Sequence, residues 1–300
     1  MSDTDVPRDR PVRPGEGRGG GAGDVGLFGP DSVTWRLHAE PLMGVALARS
    51  LLLQALHPVA MTAFEDHGTL RRDVWSRIAR TAEYVTVTTF GSTTEAMMAA
   101  SMVRAVHAQV RGVVPGGAEY AADDPQLLGW VHCCLVASFL EVLTRGGVAL
   151  TGPEQDQYIA EQVKAAMLVG LEPDEVPHDR AALLDYFRVI KPALEGSPGA
   201  RSTALELVTP PAPVLVHRAA PQRPAWADVA GLAYAALPPW ARRLYGLTDV
   251  TGAAALPDAA ATVGLRTLRA SLLALRSTTP VVVDAGAGAE LGPRRSGPQR

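Results

Sequence analysis

The sequence predicts a mainly α fold, a single multi-helix domain, on three observations. Apolar side chains recur three and four residues apart through long stretches between Glu40 and Arg276, the spacing of one helix face. No stretch alternates apolar and polar residues as a half-buried strand does. Ser92-Thr-Thr-Glu95 is a capping box, in which the two outer side chains satisfy each other's orphan backbone donors and start a helix.

Composition sets the outer bounds. Residues 1–25 and 278–300 are rich in Gly, Pro and Arg and poor in large apolar side chains, so burial does not offset the entropy of ordering them. The expected organisation is a disordered tail at 1–25, a helical domain at 26–277 and a second tail at 278–300. Aromatic residues are only 5% of the chain while alanine is abundant, which predicts close helix packing through small side chains. With 28 basic against 31 acidic residues the chain lacks the basic field that gathers nucleic acid.

The helices follow in order. Glu40 to Leu56 reads as a first long apolar helix, and Pro58 turns His57 away from helical angles, so a kink or restart is expected there. From Asp73, Trp75, Ile78, Ala82 and Val85 recur on one face and Arg77, Arg80, Thr81 and Tyr84 on another, while the β-branched run Val85 to Thr89 weakens the helix near its end. The helix capped at Ser92 is expected to run through Met98, Met102, Val106 and Val110 to Gly112, a residue suited to helix termination. Gln126 to Leu143 is apolar nearly all round and predicts a buried helix stopping at Gly146-Gly147.

Further helices are expected at Glu154–Val169, Ala181–Ile190, Trp226–Ala236 and Ala259–Arg276, with a short one at Thr203–Leu207 inside a Pro- and Ser-rich segment. The longest apolar stretch, Trp130 to Leu143, is interrupted by His132, Ser138 and Glu141 and falls short of the roughly 20 residues that cross hydrocarbon. No transmembrane segment is therefore expected. The adjacent pair Cys133-Cys134 is too constrained for an easy disulfide, and the first residues lack the basic-then-apolar order of an export signal. Both features point to a reducing, cytoplasmic location.

Seven histidines are the main candidates for chemistry. His67, His178 and His217 lie in charged or Pro-rich surroundings and read as solvated; His38 reads as structural. A step of about 100° per residue puts His107 at the edge of an apolar stripe, beside Val103 and Val110, with Ala96 and Ala100 aligned below it. Such small residues leave room for a planar group, and a haem needs a neutral imidazole on its iron. A helical histidine beside an apolar stripe is nevertheless more often a satisfied core residue, and spacing alone favours that reading.

His132 lies in the apolar helix and needs an internal partner or a metal, whereas His57 suits a capping role as well as an active-site role. No His-x-x-x-His or His-Glu-x-x-His pair is present, which disfavours a helical zinc site. The Arg77, Arg80, Thr81 and Tyr84 stripe reads either as a solvated face or as the lining of a polar pocket.

Five segments taken together carry a resemblance: Gly29-Pro-Asp-Ser-Val-Thr-Trp-Arg36, Leu51-Leu-Leu-Gln-Ala-Leu-His-Pro58, Arg77-Ile-Ala-Arg-Thr-Ala-Glu-Tyr-Val85, Val103-Arg-Ala-Val-His-Ala-Gln-Val-Arg111 and Trp130-Val-His132. In order and setting they resemble the MpaB-type and rubber oxygenase (latex-clearing protein) catalytic domain, over roughly residues 28–250 and most strongly over 28–147. The resemblance implies a helical fold with a globin-like core, haem b, and His107 as the axial ligand of its iron, with Ala100, Val103 and Val110 against the cofactor. It implies a distal Arg77-Ile-Ala-Arg80-Thr81 segment in catalytic roles, with Glu83, His57 and His132 as weaker site candidates and Glu65 as a nearby carboxylate.

Two positions depart from the latex-clearing pattern. Arg80 stands where those members have a lysine, and a guanidinium stays protonated and does not ligate iron. Arg104 stands three residues before His107, where they have a second histidine. The reaction implied is oxygenation of a small apolar substrate, isoprenoid or lipid-like, with O2. The alternatives are a non-catalytic haem sensor or carrier, and a helical protein whose histidines are structural.

Overall fold

The computed structural model describes residues 23–67, 69–208, 223–247 and 258–278. The expected tails at 1–22 and 279–300, and His217, lie outside the described residues. Within them the fold is mainly α, as the periodicity predicts, with twelve α-helices and one two-stranded hairpin.

At the centre is α2 (Met43–Gln54), in which every residue from Val45 to Gln54 is buried. A helix apolar on all sides has to be surrounded, and α2 packs most extensively on α6 (Pro125–Arg145) and α10 (Arg223–Ala235). The polar residues within α2 find partners inside the protein. Arg49 donates to the carbonyl of Ala236 at 2.9 Å and to Ser138 Oγ at 2.8 Å, while Gln54 Nε2 donates to Ser50 Oγ at 2.8 Å.

By length and composition α6 is apolar enough to span a membrane, but 72% of that stretch is buried within the protein. It is a core helix here, anchored by the fully buried Trp130, whose indole N–H donates to the carbonyl of Gln54 at 3.1 Å.

Pro58 acts as predicted. The chain breaks at Ala55–His57 and restarts as α3 (Pro58–Asp66), bent by 103° from α2. His57 is the N-cap of α3, its Nδ1 accepting from the backbone N–H of Ala60 at 3.4 Å, which realises the capping reading.

A helical hairpin follows, α4 (Thr69–Phe90) and α5 (Thr93–His107), turning at Gly91-Ser92. Helix α4 continues through the β-branched run, where the hydroxyls of Thr86 and Thr88 donate back to the carbonyls of Ala82 and Tyr84. Gly91 is required at the turn, because a Cβ there would meet the carbonyl oxygen of Val87 at 2.6 Å. The capping box at Ser92 and Glu95 forms as read.

Three expectations need correction. Helix α5 stops at His107 rather than Gly112; Ala96 and Ala100 on it are buried, while Met98, Met102 and Val106 are exposed. The chain then forms β1 (Arg111–Val113), paired antiparallel with β2 (Glu119–Ala121) through Gly116 and Gly117, both at positive φ. Strands of three residues are too short to alternate legibly, and Gly112 serves to admit the ring of Tyr120 rather than to cap a helix. The first long helix also begins at Met43, three residues after Glu40, and is preceded by α1 (Val33–His38), which the periodicity did not reveal.

The remaining helices are α7 (Gly152–Val169), α8 (Arg180–Ile190), α9 (Pro198–Val208), α11 (Pro239–Tyr245) and α12 (Asp258–Thr278). The last is fixed to the N-terminal part by Arg269, which donates to both carboxylate oxygens of Glu40 at 2.8 Å.

Candidate functional site

The seam between α4 and α5 gathers the predicted site residues unevenly. In an antiparallel hairpin, positions at similar distances from the turn face each other, which brings Arg77 opposite His107 and Tyr84 opposite the middle of α5. The inward face of α5 is Ala96, Ala100, Val103 and His107, the first two fully buried and the last two half-buried. Val110, expected one helical turn above His107, lies beyond the helix end, where its N–H donates to the His107 carbonyl at 3.1 Å.

His107 Nδ1 is buried and has no hydrogen-bond partner among the described residues. The ring's pKa is lowered, first by burial and then by the charge of Arg77, with the Asp123 carboxylate opposing the shift. At neutral pH the imidazole is therefore uncharged and holds an unused nitrogen inside the seam. The Tyr84 hydroxyl is the second such atom. It too is buried without a partner, and burial pushes its pKa up to about 12. Orphaned polar atoms are rare in folded proteins, so two on one seam need an explanation.

Arg77 turns inward. Its Nη2 donates to Gln54 Oε1 at 3.2 Å and its guanidinium stacks 3.8 Å from the Phe64 ring centroid. Burial lowers its pKa to about 10, and the like charge of Arg80 adds to the shift. Beside it lies a narrow cleft with a free volume of about 10 Å³, bounded by Leu47, Leu51 and Gln54 of α2, Ile78 and Thr81 of α4 and Leu135 of α6. The Thr81 hydroxyl donates to the Arg77 carbonyl at 2.9 Å.

Other predicted residues are not brought to this seam. Arg80 and Glu83 are exposed on the outer side of α4, and Glu65 is exposed on α3. His57 is occupied as a cap. His132 is buried on α6 one turn before Leu135, with its pKa lowered to about 4 by burial, and no described side chain bonds it. His38 is structural, as read: Nδ1 lies 2.7 Å from Thr89 Oγ1 and Nε2 3.0 Å from Tyr158 Oη. His67 and His178 are exposed and meet backbone carbonyls of Arg111 and Pro173. Tyr84 and Gln54 were underweighted by the sequence reading, although a lone Gln inside an apolar helix is itself a signal of a polar cleft.

The donor chemistry of the seam fits a haem on its ligand side. A neutral, unpartnered buried imidazole nitrogen beside small residues is what axial ligation requires. The room as packed does not match it, because the cleft has a free volume of about 10 Å³, enough for about one water. Among the described residues no group of three or more His, Cys, Asp or Glu side chains is arranged to hold a bare metal ion.

The class these features define is an all-helical domain with an interior histidine facing an arginine across a helical hairpin. Comparison with family models then gives the family. Residues 35–270 match the one described as ER-bound oxygenase mpaB/B'/Rubber oxygenase, catalytic domain, and the chain belongs to it. Searches of curated proteins and of solved structures find no match.

Proposed function

We propose that this chain is a haem b-dependent oxygenase that acts with O2 on a small apolar, isoprenoid or lipid-like substrate. The observation that carries the proposal is the unpartnered, buried Nδ1 of a neutral His107 facing Arg77. Membership of an oxygenase family supports the reaction type.

In this reading His107 would hold the haem iron, with Ala96, Ala100 and Val103 as the facing wall. When bound, the haem supplies the redox chemistry with O2. The protein's own contribution is polarity and access. Arg77 holds a fixed positive charge beside the seam, which stabilises negative charge developing on reduced oxygen. Leu47, Leu51, Ile78 and Leu135 exclude water and offer an apolar wall to the substrate. Arg80, exposed on the outer side of α4, takes no ligand role. The seam must widen to admit a macrocycle, and α5 buries only Ala96 and Ala100 of its fifteen residues.

The test is an absorption spectrum of the purified chain before and after haem addition, for wild type and His107→Ala. A Soret band that the substitution strongly weakens is expected. A colourless protein after reconstitution overturns the proposal.

A further inference from the structure

The outer face of α5 is apolar and uncovered. Met98, Met102 and Val106 stand 63%, 70% and 61% exposed, and Met97 on their flank is 48% exposed. At about 100° per residue the first three fall within about 40° of the line through Met102, on the side away from the buried Ala96 and Ala100. Together they present apolar surface on the order of 400 Å², a size that marks an interaction site on a monomer.

The stripe has the same chemical order read from either end. Counting outward from Met102, Ala99 stands against Ala105, Met98 against Val106 and Glu95 against Gln109, all within about 60° of the same line. An interface between two copies related by a two-fold axis needs this property, because residue i of one meets residue j of the other and j meets i. Antiparallel α5 helices crossing at Met102 set each Met98 on the Val106 of the second copy, and the alanines allow close approach. The ends complement each other as well. Glu95 caps Ser92 through Oε2, at 2.8 and 2.9 Å, which leaves Oε1 to accept from the Gln109 amide of the second copy.

Other occupants fit less well. A helix that lies on a bilayer carries Lys or Arg and aromatic residues around its apolar face. Helix α5 has neither there: Arg104 turns to the Leu168 carbonyl at 2.5 Å, and Arg111, beyond the helix, pairs with Asp123. A covering segment of the same chain has no need of a symmetric order.

We propose that the outer face of α5 is a self-association surface, on which a second copy of this chain docks antiparallel about a two-fold axis at Met102. The inference goes beyond the oxygenase reading, which uses the inner face of the same helix.

Sedimentation velocity of the full chain between about 5 and 200 µM tests it, a range suited to a small interface. The wild type is expected to shift from monomer to dimer across that range. Met102→Glu is expected to weaken association at least about tenfold, because it sets two like charges on the axis. The side chain is exposed, so a circular-dichroism melt is expected to show this variant as stable as the wild type.

Cross-linking reads the register. Met102→Cys is expected to give a disulfide-linked dimer on mild oxidation, because a residue on the axis meets itself, whereas Met98→Cys alone cross-links at least about tenfold more slowly. Combining Met98→Cys with Val106→Cys is expected to restore the cross-link. The native Cys133 and Cys134 are buried and do not compete.

A wild type that stays monomeric at about 200 µM overturns the proposal. Flotation with phosphatidylserine vesicles that Met102→Glu abolishes would then assign the face to a bilayer. A Met102→Glu variant that dimerises as the wild type does, or Met98→Cys cross-linking as fast as Met102→Cys, overturns it too.

Discussion

Arg77 of α4 and His107 at the end of α5 face each other across the helical hairpin, and the guanidinium's charge adds to burial in holding the imidazole neutral. The relationship has a measurable sign. Arg77→Met removes a neighbouring positive charge and is expected to raise the His107 pKa toward its ordinary value, whereas Asp123→Asn removes an opposing negative charge and is expected to lower it further. An NMR titration of the His107 ring resonances reads both shifts. A pKa that moves in neither variant denies the proximity of the three groups.

Acid stability follows from two other histidines. Burial lowers the pKa of His38 to about 3 and of His132 to about 4, both below the ordinary 6.5 that the unfolded chain recovers. The unfolded state therefore binds more protons, and the stability contributed by the neutral rings is present above pH 6.5 and lost as pH falls toward 4 and 3. Each ring contributes a slope of up to about 1.4 kcal/mol per pH unit inside that window. Urea unfolding of His132→Leu at pH 7 and pH 5 is expected to show a smaller loss than the wild type by about 1–2 kcal/mol. An equal loss in both proteins would place the His132 pKa near its unfolded value.

The hydroxyl of Tyr84 gives a prediction of opposite character. As a buried donor without a partner it carries a desolvation cost, so Tyr84→Phe is expected to leave stability unchanged or to raise it by up to about 1 kcal/mol. Loss of a satisfied buried hydroxyl normally costs about that amount instead. Denaturant midpoints with unchanged slopes make the comparison, and a loss of 1 kcal/mol or more would show that the hydroxyl has a partner in solution.

These residues also mark what was legible in the sequence. Local chemistry was readable wherever one or two side chains decide a backbone: Ser92 with Glu95 starts α5, Pro58 breaks the chain after α2, and the largely apolar run Gln126–Leu143 lies within buried α6. The face that α5 buries was not, because Met98 and Ala100 are both apolar and only the packing against α4 and α7 selects the small residue for the inside. The hairpin at β1 and β2 was hidden by its length. Within the Arg77–Tyr84 stripe, periodicity placed Arg77 and Arg80 on one face, yet a difference of three positions leaves Arg80 in solvent and Arg77 half-buried. Gln54 became significant only once α2 and α4 were side by side.

The junction of the corner with the C-terminal helices supplies a last contrast. The carbonyl of Leu56 accepts from Glu195 N–H at 2.9 Å, that of Tyr245 accepts from Arg201 Nε at 3.0 Å, and Tyr245 Oη donates to the Leu52 carbonyl, so the segment after α8 ties α2 to α11. Gly196 sits inside this knot, where a Cβ would lie 1.8 Å from the Leu244 carbonyl oxygen. Backbone on both sides leaves no flexible atom to yield, and Gly196→Ala is expected to cost about 3 kcal/mol or more, at the upper end of overpacking. Gly199, three residues on and inside α9, also meets a close atom, but that atom is Oε1 of the Glu65 side chain, which is exposed and free to swing away. The helix propensity gained on replacing a helical glycine is about 1 kcal/mol. Gly199→Ala is therefore expected to be neutral or mildly stabilising, and thermal melts of the two variants side by side test the distinction. Comparable destabilisation by both would mean that Glu65 is held in place rather than free to move.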